Sequence, residues 1–200
     1  MILSNVAIYA AIDAGDIIIR PEPTPRLRSL ANPDSPYDTM SVNLRLSAQL
    51  NLANQRKPFS FDLREKGLPD FLKQAYTAEQ MGSGGFTLDP GLFVLGNTVE
   101  EVQLPIREGR PVYAARVEGR SSFARCGLVV HFTAPTIHAG FSGTITLEML
   151  NLGKHSIVLF PGLEICQLIF ELVQGTPVRA NSEFQGQQTP AGTKLRRRGK

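Results

Sequence analysis

From Phe86 to Leu172 the chain is a succession of short apolar runs, each closed by glycine or proline after about 8–12 residues. That spacing limits the fold more than any other feature. Phe86-Thr87-Leu88 leads into the turn Asp89-Pro90-Gly91, and runs at 92–95, 101–105, 112–117, 127–132, 144–150, 156–160 and 165–172 follow. Runs this short, divided by turn-forming residues, predict strands of an all-β sandwich or barrel. No helices alternate with them, so a parallel sheet is not expected. The phosphate loops G-x-G-x-x-G and G-x-x-x-x-G-K-[ST] are both absent.

The chain before this series is more mixed. Residues 4–15 read as a short helix, with Ser4 as N-cap, Val6, Ile8, Ala11 and Ile12 as apolar positions, and Gly15 at the end. Residues 17–19 suit a strand, stopped by the proline-rich stretch 21–25, and 41–46 alternate as a half-buried strand does. Residues 65–82 read as a helical insertion carrying Leu72, Ala75 and Ala78, closed by the joint Gly82-Ser83-Gly84-Gly85. The expected division is one domain over residues 1–174 and a C-terminal lid with a basic tail over 175–200. From composition alone, the latter reads as a frayed end or as a lid that orders over a ligand.

The formal charge of +3 invites a nucleic-acid reading, but five cations (Lys194, Arg196, Arg197, Arg198 and Lys200) fall in the last seven residues. Without them 16 basic residues face 18 acidic ones, so the body carries −2. Nucleic-acid recognition is therefore not expected. No apolar run reaches the roughly 18–20 residues of a membrane span. The start Met1-Ile2-Leu3-Ser4-Asn5 lacks the pattern of a secretory signal, so a cytoplasmic location is expected. Cys126 and Cys166 sit in apolar stretches and are expected to be buried free thiols. His131, His138 and His155 show no metal-ligand spacing, and the His-x-Glu and Pro-Cys-x-x-Cys signature of zinc-dependent deaminases is missing.

Three stretches could carry chemistry. Glu118 to Gly127 gathers Arg120, Ser121, Ser122 and Arg125 around a turn whose guanidinium and hydroxyl donors suit a polyphosphate; a short helix from Ser121 would add its dipole. The other reading is a surface turn with solvated arginines. In Thr144 to Asn151, strand alternation puts Ile145, Leu147 and Met149 on one face and Thr144, Thr146, Glu148 and Leu150 on the other. Glu148 is either a sheet-edge carboxylate in an ion pair or a proton-transfer group whose desolvation favours the protonated form. The third is His131 to Phe141, where a histidine in a strand or turn is usually structural.

In this order, Gly119-Arg120-Ser121-Ser122-x-Ala124-Arg125-x-Gly127-Leu128, His131-x-Thr133-Ala134, Gly140-x-Ser142-Gly143 and Leu147-Glu148-x-x-Asn151 closely resemble the dCTP deaminases of the trimeric dUTPase-like superfamily. Met1-Ile2-Leu3-Ser4, Ser41-Val42-x-Leu44-Arg45-Leu46, Pro90-Gly91-x-Phe93-Val94-Leu95, Pro161-Gly162, Ile165-Cys166-Gln167-Leu168 and Phe184-Gln185-Gly186-Gln187 agree with it. The resemblance spans all but residues 65–82 and the last dozen.

It implies a mainly β subunit, a distorted β-barrel or jelly-roll-like dUTPase-type fold with short peripheral helices, and active sites at the interfaces of a homotrimer. Ser121, Ser122 and Arg125 would contact the triphosphate, joined by Gln187 from the C-terminal lid, with Arg120 in the same motif. Glu148 would activate water and relay its proton to the leaving ammonia, while the backbone around Thr133 and Ala134 holds the base and that water. Mg2+ would travel on the triphosphate; no zinc is expected. Without a metal to acidify the water, a positioned carboxylate must take the proton. The resemblance also implies dTTP as an inhibitor acting through the segment from His131 to Ala134.

Three positions depart from the family pattern. His138 stands where the family has Asp, and an imidazole cannot reproduce an acceptor-only carboxylate, so dUTP rather than dUMP is the expected product, supplying the route to thymidylate. Asn43 replaces an Asp, and Glu183 stands where a phosphate-binding Lys is common. The alternatives are a bifunctional deaminase–dUTPase that releases dUMP and a non-catalytic deoxynucleotide-binding homotrimer. A plain dUTPase would leave Glu148 unexplained.

Overall fold

The computed structural model describes residues 1–27, 33–54, 62, 64, 68–178 and 186–190, with backbone only for 68–70. Ser4 starts the first element as expected: its hydroxyl accepts a hydrogen bond from the Ala7 N–H (3.3 Å), and α1 (Asn5–Asp13) buries Ile8 and Ala11. The strands β1 (Ile18–Arg20), β2 (Val42–Arg45) and β3 (Gln49–Ala53) follow, then α2 (Leu68–Ala75), β4 (Tyr76–Gln80), β5 (Phe86–Leu88), β6 (Phe93–Gln103) and β7 (Tyr113–Gly119). The short helix α3 (Ser121–Ala124) leads to β8 (Leu128–Val129), β9 (Thr136–Ile137), β10 (Ser142–Asn151), β11 (Ile157–Leu159) and β12 (Glu164–Leu172).

These strands form three sheets. One follows the order β4-β3-β6-β10-β8, with β1 also on β6; a second is β2-β12-β7-β9; β5 and β11 form a two-stranded ribbon. Every pairing is antiparallel. The chain is thus mostly β, with its helices short, and the sheets are distorted rather than closed. The register of β10 on β6 slips between Thr144 and Thr146, and that of β12 on β2 slips between Glu164 and Cys166. Such irregularities bend a strand and raise its local twist.

Alternation along the strands places the core. Ile145, Leu147 and Met149 of β10 turn inward to meet Val42 and Leu44 of β2 and Ile165, Leu168 and Phe170 of β12 in one buried cluster. The two larger sheets are also tied by charge. Glu100 is fully buried and accepts both the Arg45 backbone N–H (2.9 Å) and its Nε (2.7 Å). A carboxylate at such depth persists only with donors of this kind.

Several expected elements differ in extent. The runs at 92–95 and 101–105 are one eleven-residue strand, β6, because β10 pairs along nearly its whole length. The run 127–132 keeps only two residues of regular strand. Among the described residues of 65–82, helix covers Leu68–Ala75; Ala78 lies in β4, where β3 supplies a pairing partner and Tyr76 and Thr77 suit a pleated edge. No helix among the described residues is long and apolar enough to cross a membrane.

The two cysteines part company. Cys166 is buried, and burial first, then the charge of Glu100, pushes its thiol up to about 12. Cys126, expected to be buried, is exposed, because it ends the turn after α3 rather than entering a strand; its Sγ lies 3.6 Å from the Ser122 carbonyl oxygen. A disulfide-exchange reagent at neutral pH is expected to modify one thiol per native chain, at Cys126, and both after denaturation. Two fast-reacting thiols in the folded protein would contradict this placement.

Candidate active site

β10 carries the first candidate. With Leu147 and Met149 turned into the core, Glu148 between them must face the other way, and it is half-buried there. Its backbone N–H donates to the Val130 carbonyl (3.1 Å), and its Oε2 accepts the Phe132 N–H (3.1 Å). The carboxylate is therefore oriented by the segment immediately after β8, and among the described residues no cation pairs with it. Phe132, half-exposed, packs its ring 5.7 Å from that of Phe93. Tyr76 of β4 lies within the field of Glu148: burial first, then this carboxylate, raises its phenol above the usual range.

The second candidate lies at the opposite end of β8. β8 runs antiparallel to the end of β10, with Leu128 opposite Asn151 and Val129 opposite Leu150. The turn from Arg120 to Gly127 thus precedes β8 and the segment from His131 to Ala134 follows it, about 13 Å apart at ~3.3 Å per residue of extended chain. Ser121, Ser122 and Arg125 are exposed. Gly127 explains how the turn can be held so close to the sheet. Its φ is +93°, and a Cβ there would run into the backbone N and Cα of Gly153 in the turn after β10.

Arg120 behaves differently from its neighbours. Its carbonyl accepts the N–H groups of Phe123 (3.0 Å) and Ala124 (2.9 Å), closing the first turn of α3. Its guanidinium turns back onto the sheet, where Nη1 donates to the Glu164 carbonyl oxygen (3.0 Å) and to Glu164 Oε2 (3.1 Å). Asn43 joins the same carboxylate, Nδ2 to Oε2 at 2.8 Å. The carboxylate absent from position 43 is thus present beside it, on the neighbouring strand.

Thr133 and Ala134 are exposed, one and two residues beyond the N–H that holds Glu148. The His131 ring is partly buried, with Nε2 3.9 Å from Glu118 Oε2 and Nδ1 buried without a hydrogen-bond partner. Glu118 is itself contacted by Arg116, which also pairs with Glu171 (2.6 Å). His138 is exposed. Glu183 and the basic tail fall outside the described residues.

Gln187 is seated against β10. It is buried, its Nε2 donates to the Thr144 carbonyl (2.7 Å), and its own carbonyl accepts the Thr144 N–H (3.0 Å). Gly186 donates to the Ser142 carbonyl (2.7 Å), and the Thr146 hydroxyl donates to the Pro190 carbonyl (3.4 Å). Residues 186–190 therefore lie along β10.

The structure brings Glu148 together with the His131–Ala134 segment. Among the described residues, no hydrogen bond or ion pair joins Glu148 to Ser121, Ser122, Arg125 or Gln187. Three participants escaped the sequence reading: the Phe132 N–H, Tyr76 and Glu164. Glu164 alone left a signal, as the charge that opens the mainly apolar strand β12. No group of three or more His, Cys, Asp or Glu side chains among the described residues is arranged to hold a metal.

A family model described as dCTP deaminase-like matches residues 2–173. The dCTP deaminase of Natronomonas pharaonis is 36% identical over 98% of this chain and 95% of its own length. A dUMP-forming dCTP deaminase of Streptomyces griseus is 37% identical over 97% and 95%. The crystal structure of 2'-deoxycytidine 5'-triphosphate deaminase from Agrobacterium tumefaciens shares the fold, with a TM-score of 0.62 over 86% of this chain at 19% identity. The match spans about half, 48%, of that longer chain. With the family model covering most of its length and close relatives matched end to end, this chain belongs to the dCTP deaminase-like family.

Proposed function

We propose that the protein hydrolyses dCTP to dUTP and ammonia, with Glu148 as the catalytic residue. The observation that carries this reading is the Glu148 carboxylate, half-buried on β10 and aimed by the Phe132 N–H. That bond occupies Oε2, and the other oxygen, which makes no bond among the described residues, takes a proton from water. Hydroxide equivalent then adds to C4 of the C4=N3 bond while the carboxylate passes the first proton to N3; the carboxylate next takes the proton of the added hydroxyl and gives it to the amino group, which leaves as ammonia as C4 becomes a carbonyl. Backbone groups near Thr133 and Ala134 hold the base and the water.

The triphosphate is bound by Ser121, Ser122 and Arg125, whose exposed donors suit phosphate oxygens, and Mg2+ arrives as part of the substrate complex. Gln187 joins them after leaving Thr144. Because these groups make no bond to Glu148 within one chain, sites shared between subunits of a homotrimer account for both sets of residues. Residues 1–174 serve as the catalytic domain and 175–200 as lid and tail, working on the cytoplasmic nucleotide pool. dTTP inhibits by moving the His131–Ala134 segment, which would shift the donor on Glu148.

A second reading keeps dUMP as product, as several relatives at 33–37% identity bear dUMP-forming names. Position 138 separates the two. Chromatography of products from dCTP and Mg2+ is expected to show dUTP with the native chain. His138→Asp is expected to add dUMP and pyrophosphate. Native dUMP formation would replace the first reading with the second, and tight dCTP binding without turnover would leave only a nucleotide-binding protein.

A further inference from the structure

Asn43, Arg120 and Glu164 meet at a point that the reaction above does not use. Asn43 lies on β2, Glu164 opens the neighbouring β12, and Arg120 directly follows β7, where Gly119 pairs with Cys166. Glu164 Oε2 accepts from both Asn43 Nδ2 (2.8 Å) and Arg120 Nη1 (3.1 Å). Gln167 Nε2 approaches Asn43 Oδ1 (3.4 Å), which fixes the amide with its N–H pointing at the carboxylate. The Arg120 guanidinium also lies over the Phe123 ring, 5.4 Å from its centre, so it touches α3 as well as the sheet.

Bonding rather than packing holds this arrangement. A cavity of about 110 Å³ opens beside it, lined by Glu22, Arg45, Asn43 and Glu164 among others. A side chain released here has room to move. The charge logic is equally specific: Asn43 is 5% exposed, and a second carboxylate in its place would face Glu164 with one guanidinium between them. Arg120 meanwhile supplies the carbonyl that closes the first turn of α3, so whatever fixes its side chain fixes the start of the turn bearing Ser121, Ser122 and Arg125.

We propose that Glu164 is a positioning residue for this phosphate-binding turn, acting through Arg120, and that Asn43 is the neutral partner that holds its carboxylate in place. The inference rests on the reading of Ser121, Ser122 and Arg125 as triphosphate ligands. Arg120 is then part of the frame beneath the turn, and the affinity of the turn depends on a carboxylate–carboxamide pair two strands wide.

The test uses the full-length chain and three variants, Glu164→Gln, Asn43→Asp and the double Asn43→Asp/Glu164→Gln. Calorimetric titration with inorganic triphosphate and Mg2+ reads the turn without requiring turnover; KM and kcat for dCTP read the whole site. Glu164→Gln is expected to raise Kd and KM together by about 5-fold, with kcat changed less than about twofold. Asn43→Asp is expected to raise both by about tenfold, and the double variant, with the pair reversed, to return within about twofold of native. Thermal melting of each variant confirms that it is folded; if Asn43→Asp fails to fold, Glu164→Gln and the double variant decide. Triphosphate affinity unchanged in Glu164→Gln, a double variant no better than Asn43→Asp, or native protein that ignores triphosphate would each overturn the proposal. The expected pattern in a protein that releases no ammonia from dCTP would uphold it and instead remove the deaminase assignment.

Discussion

Glu148→Gln is expected to lower the deamination rate by about 10²–10⁴-fold, the usual range for a lost proton-transfer group, and to leave dCTP affinity within about threefold. The amide keeps the size of the side chain and one oxygen for the Phe132 N–H, so the His131–Ala134 segment loses no partner. What disappears is the capacity to take a proton from water and return it to the departing amine. Stopped-time measurement of ammonia, alongside equilibrium binding of dCTP, separates these effects. A variant that retained a tenth or more of native turnover would show that another group accepts the proton. A variant that lost binding in proportion to rate would show that Glu148 holds the substrate rather than reacting with it.

Gly127→Ala has the second large consequence, on stability and site together. The residue combines a left-handed φ of +93° with direct approach to the Gly153 backbone. Backbone strain and overlap with main-chain atoms that cannot swing aside together cost about 3–4 kcal/mol, or roughly 10 °C in melting temperature for a domain of this size. Relief comes only by separating the α3–β8 turn from the turn after β10, which moves Arg125 away from its native position. Calorimetric melting and dCTP affinity should therefore fall together. If the variant melts within about 2 °C of native, the contact between these turns is looser than described.

Much of the fold was legible because strand chemistry is local. Ser4 capping α1, the Asp89-Pro90-Gly91 turn, and the inward Ile145-Leu147-Met149 face all follow from side-chain type and a period of two. The merging of two runs into β6 was not legible, because it depends on β10, more than forty residues later in the chain. The strand at Tyr76–Gln80 is hidden for the same reason, since β3 decides it rather than its own composition. The site divides similarly. Glu148 stood out as a charge in an apolar strand, and the Arg120–Arg125 turn stood out by its donors. The backbone N–H that orients Glu148 carries no residue-type signature, and the Glu164–Asn43–Arg120 arrangement exists only because three strands distant in sequence lie side by side. The buried seat of Gln187 depends in turn on how its backbone and that of β10 happen to match.

That last feature bears on the solution behaviour of the protein. Gly186 and Gln187 satisfy N–H and C=O groups of β10 at Ser142 and Thr144 that β8, which pairs only further along the strand, does not reach. Their departure to meet a nucleotide, as proposed above, would strip a length of sheet margin that can template contact with another molecule. On the proposed reading, residues 186–190 shield this margin from edge-to-edge pairing while seated on β10 and supply ligand contacts once they leave it.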